Sequence, residues 1–435
     1  MALITGIGIF SGHSGPGSVA YDAATGTYTV TGGDQPQYVW ARVTGDVALE
    51  ATVERASGAS LMIRQSLDAD APYVDGAPTT LEWRETPGDA AHEIQSNAPA
   101  PTRWRIEKRG DYVSMYINSL PAGGAAKVHL TGEFYVGLAA HAQSVRFTHV
   151  ILGTPATAKR KTLISTLETI DVASKVRRVA YVVVQPERIE APNWFPDSTR
   201  TLYFNSKGHF FRLRDGALKP VDLGLLHNIN NDHGVTRDGR TWAFSADFIY
   251  VGSDGRMRQV TENAPSYFHG WSPDGRTLVF CGLRAKNFDI YRISVNGGPE
   301  TRLTTNPGKD DGPEFSPDGT YIYYNSDQSG SMQIWRMKPD GSDKEQITND
   351  DADNWFPHIS PDGKMMAFLS YARGVGDHPE NKDVRLRLMD LDKRAISELA
   401  KLFGGQGTIN VNSWSPDSQS LAFVSYQIVP DQTHR

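Results

Sequence analysis

Phe315-Ser-Pro-Asp-Gly319, set between two strand-like runs, decides the fold, because the chain repeats it. The other copies are Trp194-Phe-Pro-Asp-Ser198, Val235-Thr-Arg-Asp-Gly239, Trp271-Ser-Pro-Asp-Gly275, Ile359-Ser-Pro-Asp-Gly363 and Trp414-Ser-Pro-Asp-Ser418. Each reads as a tight turn, with proline in five of the six presetting φ and glycine in four supplying a positive φ. Successive copies start 41, 36, 44, 44 and 55 residues apart, the period at which a four-stranded unit recurs around a β-propeller.

Working outward from the fourth copy, Gly312–Ser316, Tyr321–Ser326, Met332–Lys338 and Glu345–Thr348 make the four strands. Six copies imply six blades, with a seventh, degenerate blade as the alternative. Only about two strands follow Trp414. The strand-like runs Thr162–Ile170 and Arg178–Val184 are therefore expected to complete the last blade and close the ring, which removes the open sheet edges.

The first 155 residues show period-2 alternation in runs such as Val47–Val53, Ser60–Gln65, Thr80–Arg84, Arg103–Lys108, Tyr112–Asn118, Phe134–Ala139 and Val145–Leu152. Short strands separated by Gly, Pro, Asp and Asn imply a two-sheet sandwich. The expected fold class is thus all-β, an N-terminal jelly-roll sandwich over residues 1–155 followed by a six-bladed propeller over 156–435. Residues 153–161, which include Lys159-Arg160-Lys161, mark the boundary.

Composition narrows the function. At 435 residues the chain exceeds one ordinary core. A net charge of −6 with mixed signs and no basic stripe argues against nucleic acid as a partner. No apolar run approaches the roughly 20 residues that span a bilayer. The opening Met1–Phe10 lacks a basic start and a clear cleavage site, which leaves compartment open between cytoplasm and periplasm. The one cysteine, Cys281, lies in a strand and reads as a small buried side chain. Arg109-Gly110-Asp111 reads as a hairpin turn.

The repeats also separate scaffold from surplus. The first residue of each copy, Trp194, Val235, Trp271, Phe315, Ile359 and Trp414, is apolar, a column that packs blade against blade. Two residues earlier the column is Pro192, His233, His269, Pro313, Pro357 and Asn412, and two earlier again it is Glu190, Asn231, Tyr267, Asp311, Trp355 and Asn410. Polar and imidazole groups thus gather where the inner strands reach the face opposite the Pro-Asp-Gly turns, and the chemistry is expected there. Two further segments reach that face, one carrying His378 and the other Gln406. His233, His269, His378 and Gln406 form a candidate set of ligands for a divalent metal such as Mn²⁺ or Zn²⁺. The structural alternative has the histidines bonded to inner-strand carbonyls, and His358, one residue off the column, reads as structural. Asp310 and Asp311 are candidate carboxylates for glycoside hydrolysis. Arg385 is the candidate anchor for a sugar carboxylate, with an ion pair between blades as its alternative.

Two resemblances add to this reading. Val39-Trp-Ala-Arg-Val-Thr-Gly-Asp46, Leu61-Met-Ile-Arg-Gln-Ser66 and Tyr135-Val-Gly-Leu-Ala-Ala-His141 resemble bacterial concanavalin A-like domains, which implies either a sugar-binding module or an inert scaffold. In such a module Tyr73, Trp83, Trp104 and His141 could form a stacking face. The repeat phrases, with Tyr321-Ile-Tyr-Tyr-Asn-Ser326 and Gln333-Ile-Trp-Arg-Met337, resemble TolB-like six-bladed propellers over residues 162–435. The candidate ligand set is similar in residue types to the metal site of oligogalacturonate lyases, which have seven blades.

The expected function is that of a carbohydrate-active protein, either a metal-assisted lyase or a hydrolase. His233, His269, Asp311 and Arg385 would be catalytic, and Tyr267, Asp310, Trp355, Asn410 and Asn412 would hold the sugar. The alternative is a non-catalytic TolB-like propeller that binds a glycan or a protein. Oligomeric state is not legible.

Overall fold

The computed structural model describes residues 8–54, 57–77, 79–96, 103–155, 161–197 and 200–430. Most of the expected 153–161 boundary, including Lys159 and Arg160, and much of the Met1–Phe10 opening lie outside them. The described residues form strands and turns with no helix, so no helix is long and apolar enough to cross a membrane. The chain divides into two compact units, one of residues 1–162, 175–182 and 427–435, the other of 163–174 and 183–426.

In the first unit two antiparallel sheets pack face to face. One carries Gln37–Thr44, Glu133–Ala140, Ala59–Arg64, Tyr73–Gly76, Thr80–Arg84 and His92–Gln95 as neighbours in that order. The other is built around Arg103–Arg109, Val47–Val53 and Ser144–Gly153. Strict alternation sends Leu61, Ile63, Val136 and Leu138 inward from one sheet and Leu49, Ala51, Ile106 and Phe147 from the other, into one core. Burying each large side chain contributes roughly 2 kcal/mol. Trp83 and Trp104 belong to that core at 4% and 0% exposure. The expected stacking face of Tyr73, Trp83, Trp104 and His141 is therefore split, because adjacent strand parity sends both indoles inward. Gly110 takes φ +56° in the turn between Arg103–Arg109 and Tyr112–Ile117, and its N–H donates to Asp46, as a hairpin turn requires.

The second unit contains five four-stranded sheets in sequence order, each with nearest-neighbour antiparallel pairing. They begin at Glu190–Trp194, His233–Val235, Ser266–Trp271, Asp310–Phe315 and Ala352–Ile359, their inner strands. The sixth repeat differs from expectation. Trp414 pairs with Leu421 through an isolated bridge, and Ser420–Pro430 pairs with Lys161–Asp171. The run Arg178–Val184, expected with Thr162–Ile170 to complete that blade, starts at Arg177 and pairs in parallel with His92–Gln95. Its Val179 packs into the core of the first unit. An apolar side chain with a core to enter outweighs the repeat's own pattern.

The repeated turns share one construction. In the third copy Gly275 N–H donates to Ser272 C=O at 2.8 Å, while Asp274 accepts from Ser272 Oγ at 2.6 Å and from Arg276 N–H at 3.1 Å. The same bonds recur around Asp318 and Asp362. Serine, aspartate and glycine are thus each needed by the turn itself, the last because φ is +67°, +73° and +74° at Gly275, Gly319 and Gly363.

Candidate functional site: an axial cavity and a buried ionic cluster

The inner strands do not run straight. Their pairing slips between Glu190 and Asn193, Phe268 and Gly270, Asp311 and Glu314, and Trp355 and His358. In three of the four the slip holds a residue of positive φ followed by proline: Ala191-Pro192, Gly312-Pro313 and Phe356-Pro357, with φ of 51°, 59° and 57°. Proline has no N–H for the ladder, so the strand bulges there. The freed N–H of Ala191 donates to Gly407 C=O at 2.7 Å, and that of Phe356 to Asn325 Oδ1 at 3.1 Å. A Cβ on Gly312 would lie 2.6 Å from Asn325 Oδ1, which leaves glycine as the residue that fits.

Beyond the bulges, away from the Pro-Asp-Gly turns, the strands bring together a buried ionic cluster. Asp311 Oδ1 lies 3.3 Å from His269 Nε2, and its Oδ2 lies 3.5 Å from His378 Nε2 and 3.4 Å from Lys309 Nζ. Lys309 also meets Asp377 at 2.8 Å. His378 stands edge-on to Trp355 and Phe356. Burial alone would raise the carboxyl pKa of Asp311, yet Lys309 and the two histidines hold it well below the usual range. Burial alone would lower that of His269, yet Asp232 and Asp311 raise it. Asp232 is pushed up by burial.

On the turn side of the bulges lies a cavity of about 410 Å³, encircled by all six repeats and therefore axial. The whole column Trp194, Val235, Trp271, Phe315, Ile359 and Trp414 lines it, so these side chains wall a cavity and do not only pack blade on blade. Toward solvent it is edged by the repeat prolines and by Arg237, which stands where the other copies have proline. Further along the inner strands it meets Asn193, His233, His269, Glu314 and Asn412. Glu314 is held by His358 Nδ1 at 2.8 Å and by Asn412 Nδ2 at 2.6 Å. His233 Nε2 faces Asn193 Oδ1 at 3.2 Å, and its Nδ1 is buried with no partner among the described residues. Burial lowers the His233 pKa to about 3, so its imidazole is neutral at ordinary pH.

The expected residues thus fall into separate places. His269, His378 and Asp311 meet in the ionic cluster, with Trp355 covering it. His233 lies apart, against Phe210 and Asn193. Gln406 Oε1 accepts from Asn410 Nδ2 at 3.0 Å, and Asn410 Oδ1 accepts from Gly407 N–H. His269 and His378 share Asp311, whereas His233 and Gln406 lie elsewhere with other partners, and the described residues contain no cluster of His, Cys, Asp or Glu arranged to hold a metal. The set does not fit a resident metal ion. Asp310 points away from Asp311, with its Oδ1 taking Asn306 Nδ2 and burial raising its pKa to about 6. Tyr267 is half-buried beside Phe288. Arg385 is exposed on Glu380–Asp390, whereas Arg387 meets Asp350 at 2.7 Å. His358 is structural, with its second nitrogen donating to Ile409 C=O. Lys309, Phe356 and Glu314 were not legible as site residues, although Lys309 stands beside the Asp310-Asp311 pair in sequence.

Fold and cavity define a β-propeller with an axial pocket. The TolB beta propeller domain family matches residues 253–384. An uncharacterised protein of Agrobacterium fabrum is 43% identical over 273 residues, which cover 60% of this chain and 92% of that protein. A solved structure from Agrobacterium tumefaciens with a provisional TolB designation is 44% identical, with a TM-score of 0.58 over 61% of this chain and 99% of that one. The chain belongs to the TolB-like β-propeller family. An oligogalacturonate lyase in complex with manganese matches at 14% identity and a TM-score of 0.38, over 57% of this chain and 75% of that one, too remote to bear on metal or activity here.

Proposed function

We propose that this chain is a non-catalytic, carbohydrate-binding propeller of TolB type whose ligand enters the axial cavity from the Pro-Asp-Gly side. The observation that carries this is the cavity's lining. The half-buried Trp194 and Trp271 offer faces on which sugar rings stack, and the half-buried Asn412 offers an amide for hydroxyls. A volume of about 410 Å³ suits one or two sugar rings.

Turnover has less support. Asp311, the best-placed carboxylate, is taken up by His269, His378 and Lys309, and two of the expected metal ligands, His233 and Gln406, lie apart from the other two. In the same reading, Trp414, Ser420–Pro430 and Lys161–Asp171 serve as the sixth, closing blade, and residues 1–155 keep their concanavalin A-like assignment on motif resemblance. The test is a glycan array probed with the full chain, followed by an assay for reducing ends and unsaturated uronate on every hit. The expected result is binding without product. Product from any hit would replace the binding reading with an enzymatic one, and no hit would remove the carbohydrate.

A further inference from the structure

Arg237 breaks the repeat at its most regular point. Five copies place proline at the cavity edge, as Pro196, Pro273, Pro317, Pro361 and Pro416, whereas the second copy places a guanidinium. Its Nη2 donates to the carbonyl of Pro317, two blades away, at 2.6 Å, so the side chain reaches over the opening. A scaffold role does not call for this residue, since the turn closes there as elsewhere, with Gly239 N–H on Thr236 C=O at 2.8 Å.

The other charged groups of the lining are matched within the protein. Glu314 is held by His358 at 2.8 Å, and His269 lies 3.3 Å from Asp311. The six turn aspartates are exposed, but none lines the cavity. Arg237 has no ion-pair partner among the described residues, and its one acceptor is a neutral carbonyl. A guanidinium carries five donors, and a carboxylate can take two of them side by side in a stronger, charge-assisted pair.

From this geometry we infer that the axial cavity selects glycans bearing an anionic group, and that Arg237 is the specificity-determining residue at its opening. The inference rests on the carbohydrate reading above. The ring stacks on the tryptophans, and the ligand's carboxylate or sulfate meets Arg237.

The test uses a glucuronosyl-glucose disaccharide and its methyl ester, which differ by one charge at nearly constant shape, titrated calorimetrically into the full chain. The acid is expected to bind at least tenfold tighter than the ester, and the gap to narrow as salt is raised. In Arg237→Pro, which installs the residue of the other copies, the two affinities converge, with circular dichroism melting confirming the fold. Equal affinities in the parent chain, or a gap that survives Arg237→Pro, overturn the inference while leaving the carbohydrate reading standing. Binding of neither sugar, with the glycan array also blank, overturns both.

Discussion

Asp311 Oδ1 stands 3.3 Å from His269 Nε2, and through this contact a buried carboxylate of the fourth blade is tied to a histidine of the third that also lines the axial cavity. The ionic cluster and the cavity therefore share a residue. Holding His269 in place shapes the cavity wall from behind.

Removing the carboxylate should expose how much the cluster depends on it. In Asp311→Ala, Lys309, His269 and His378 face one another without their common anion. Breaking a buried pair in this way costs about 3–5 kcal/mol. Urea unfolding of the variant should show a loss of that order, and a loss below about 1 kcal/mol would contradict the assignment.

Gly312→Ala should fail for a backbone reason. The position has φ +59°, and an added Cβ would meet Asn325 Oδ1 at 2.6 Å, the atom that accepts the Phe356 N–H. A left-handed alanine costs about 1–2 kcal/mol, and the displaced hydrogen bond about 1 more. A fall in unfolding free energy of roughly 2–3 kcal/mol is expected, measured by urea titration.

His233 should give the chain an acid-sensitive limb. Its folded pKa is lowered to about 3 by burial, against about 6.5 when unfolded. The unfolded chain therefore takes the proton first as pH falls. Stability from this group is complete above about 6.5 and is lost progressively toward 3, by about 2 kcal/mol at pH 5. His233→Gln should flatten that part of the stability profile. His269 has the opposite sign, because its folded pKa is raised. Its contribution is present below about 6.5 and disappears as pH rises through the folded value. Subtracting the His233→Gln and His269→Gln profiles from that of the parent chain separates the two.

Much of this fold was legible in the sequence, because Ser-Pro-Asp-Gly encodes its own turn through bonds within five residues. The strand runs of the first unit were legible for a similar reason, since alternation is a local property. The fate of Arg178–Val184 was not, because its pairing with His92–Gln95 depends on a core about 85 residues away in sequence. At the site, the columns pointed to His269, Asp311 and Trp355, which do meet around one cluster. They missed the bulges at Ala191-Pro192, Gly312-Pro313 and Phe356-Pro357, which change the facing of everything after them. The slip between Phe268 and Gly270, which holds His269, has no counterpart in His233–Val235, which is why His233 and His269, equivalent in the columns, have different partners. The columns point to the face opposite the turns, whereas the open cavity lies on the turn side, walled by the apolar column that the repeat pattern alone assigns to packing.

The cavity wall supplies a direct prediction for binding. Trp271 is half-buried, lines the cavity and donates its Nε1–H to Gly234 C=O at 3.3 Å, which fixes the plane of the ring. Trp271→Ala should weaken the tightest array hit at least tenfold, about 1.4 kcal/mol. Calorimetry of the parent and variant measures it, and Trp271→Phe should recover part of the loss.

The position of the bound glycan tests the central claim most directly. It is measured by X-ray diffraction from the chain crystallised with its tightest array hit. The account predicts density inside the axial cavity, stacked against Trp194 or Trp271. Density over the Asp311 cluster, or a ligand seated only on residues 1–155, would contradict it.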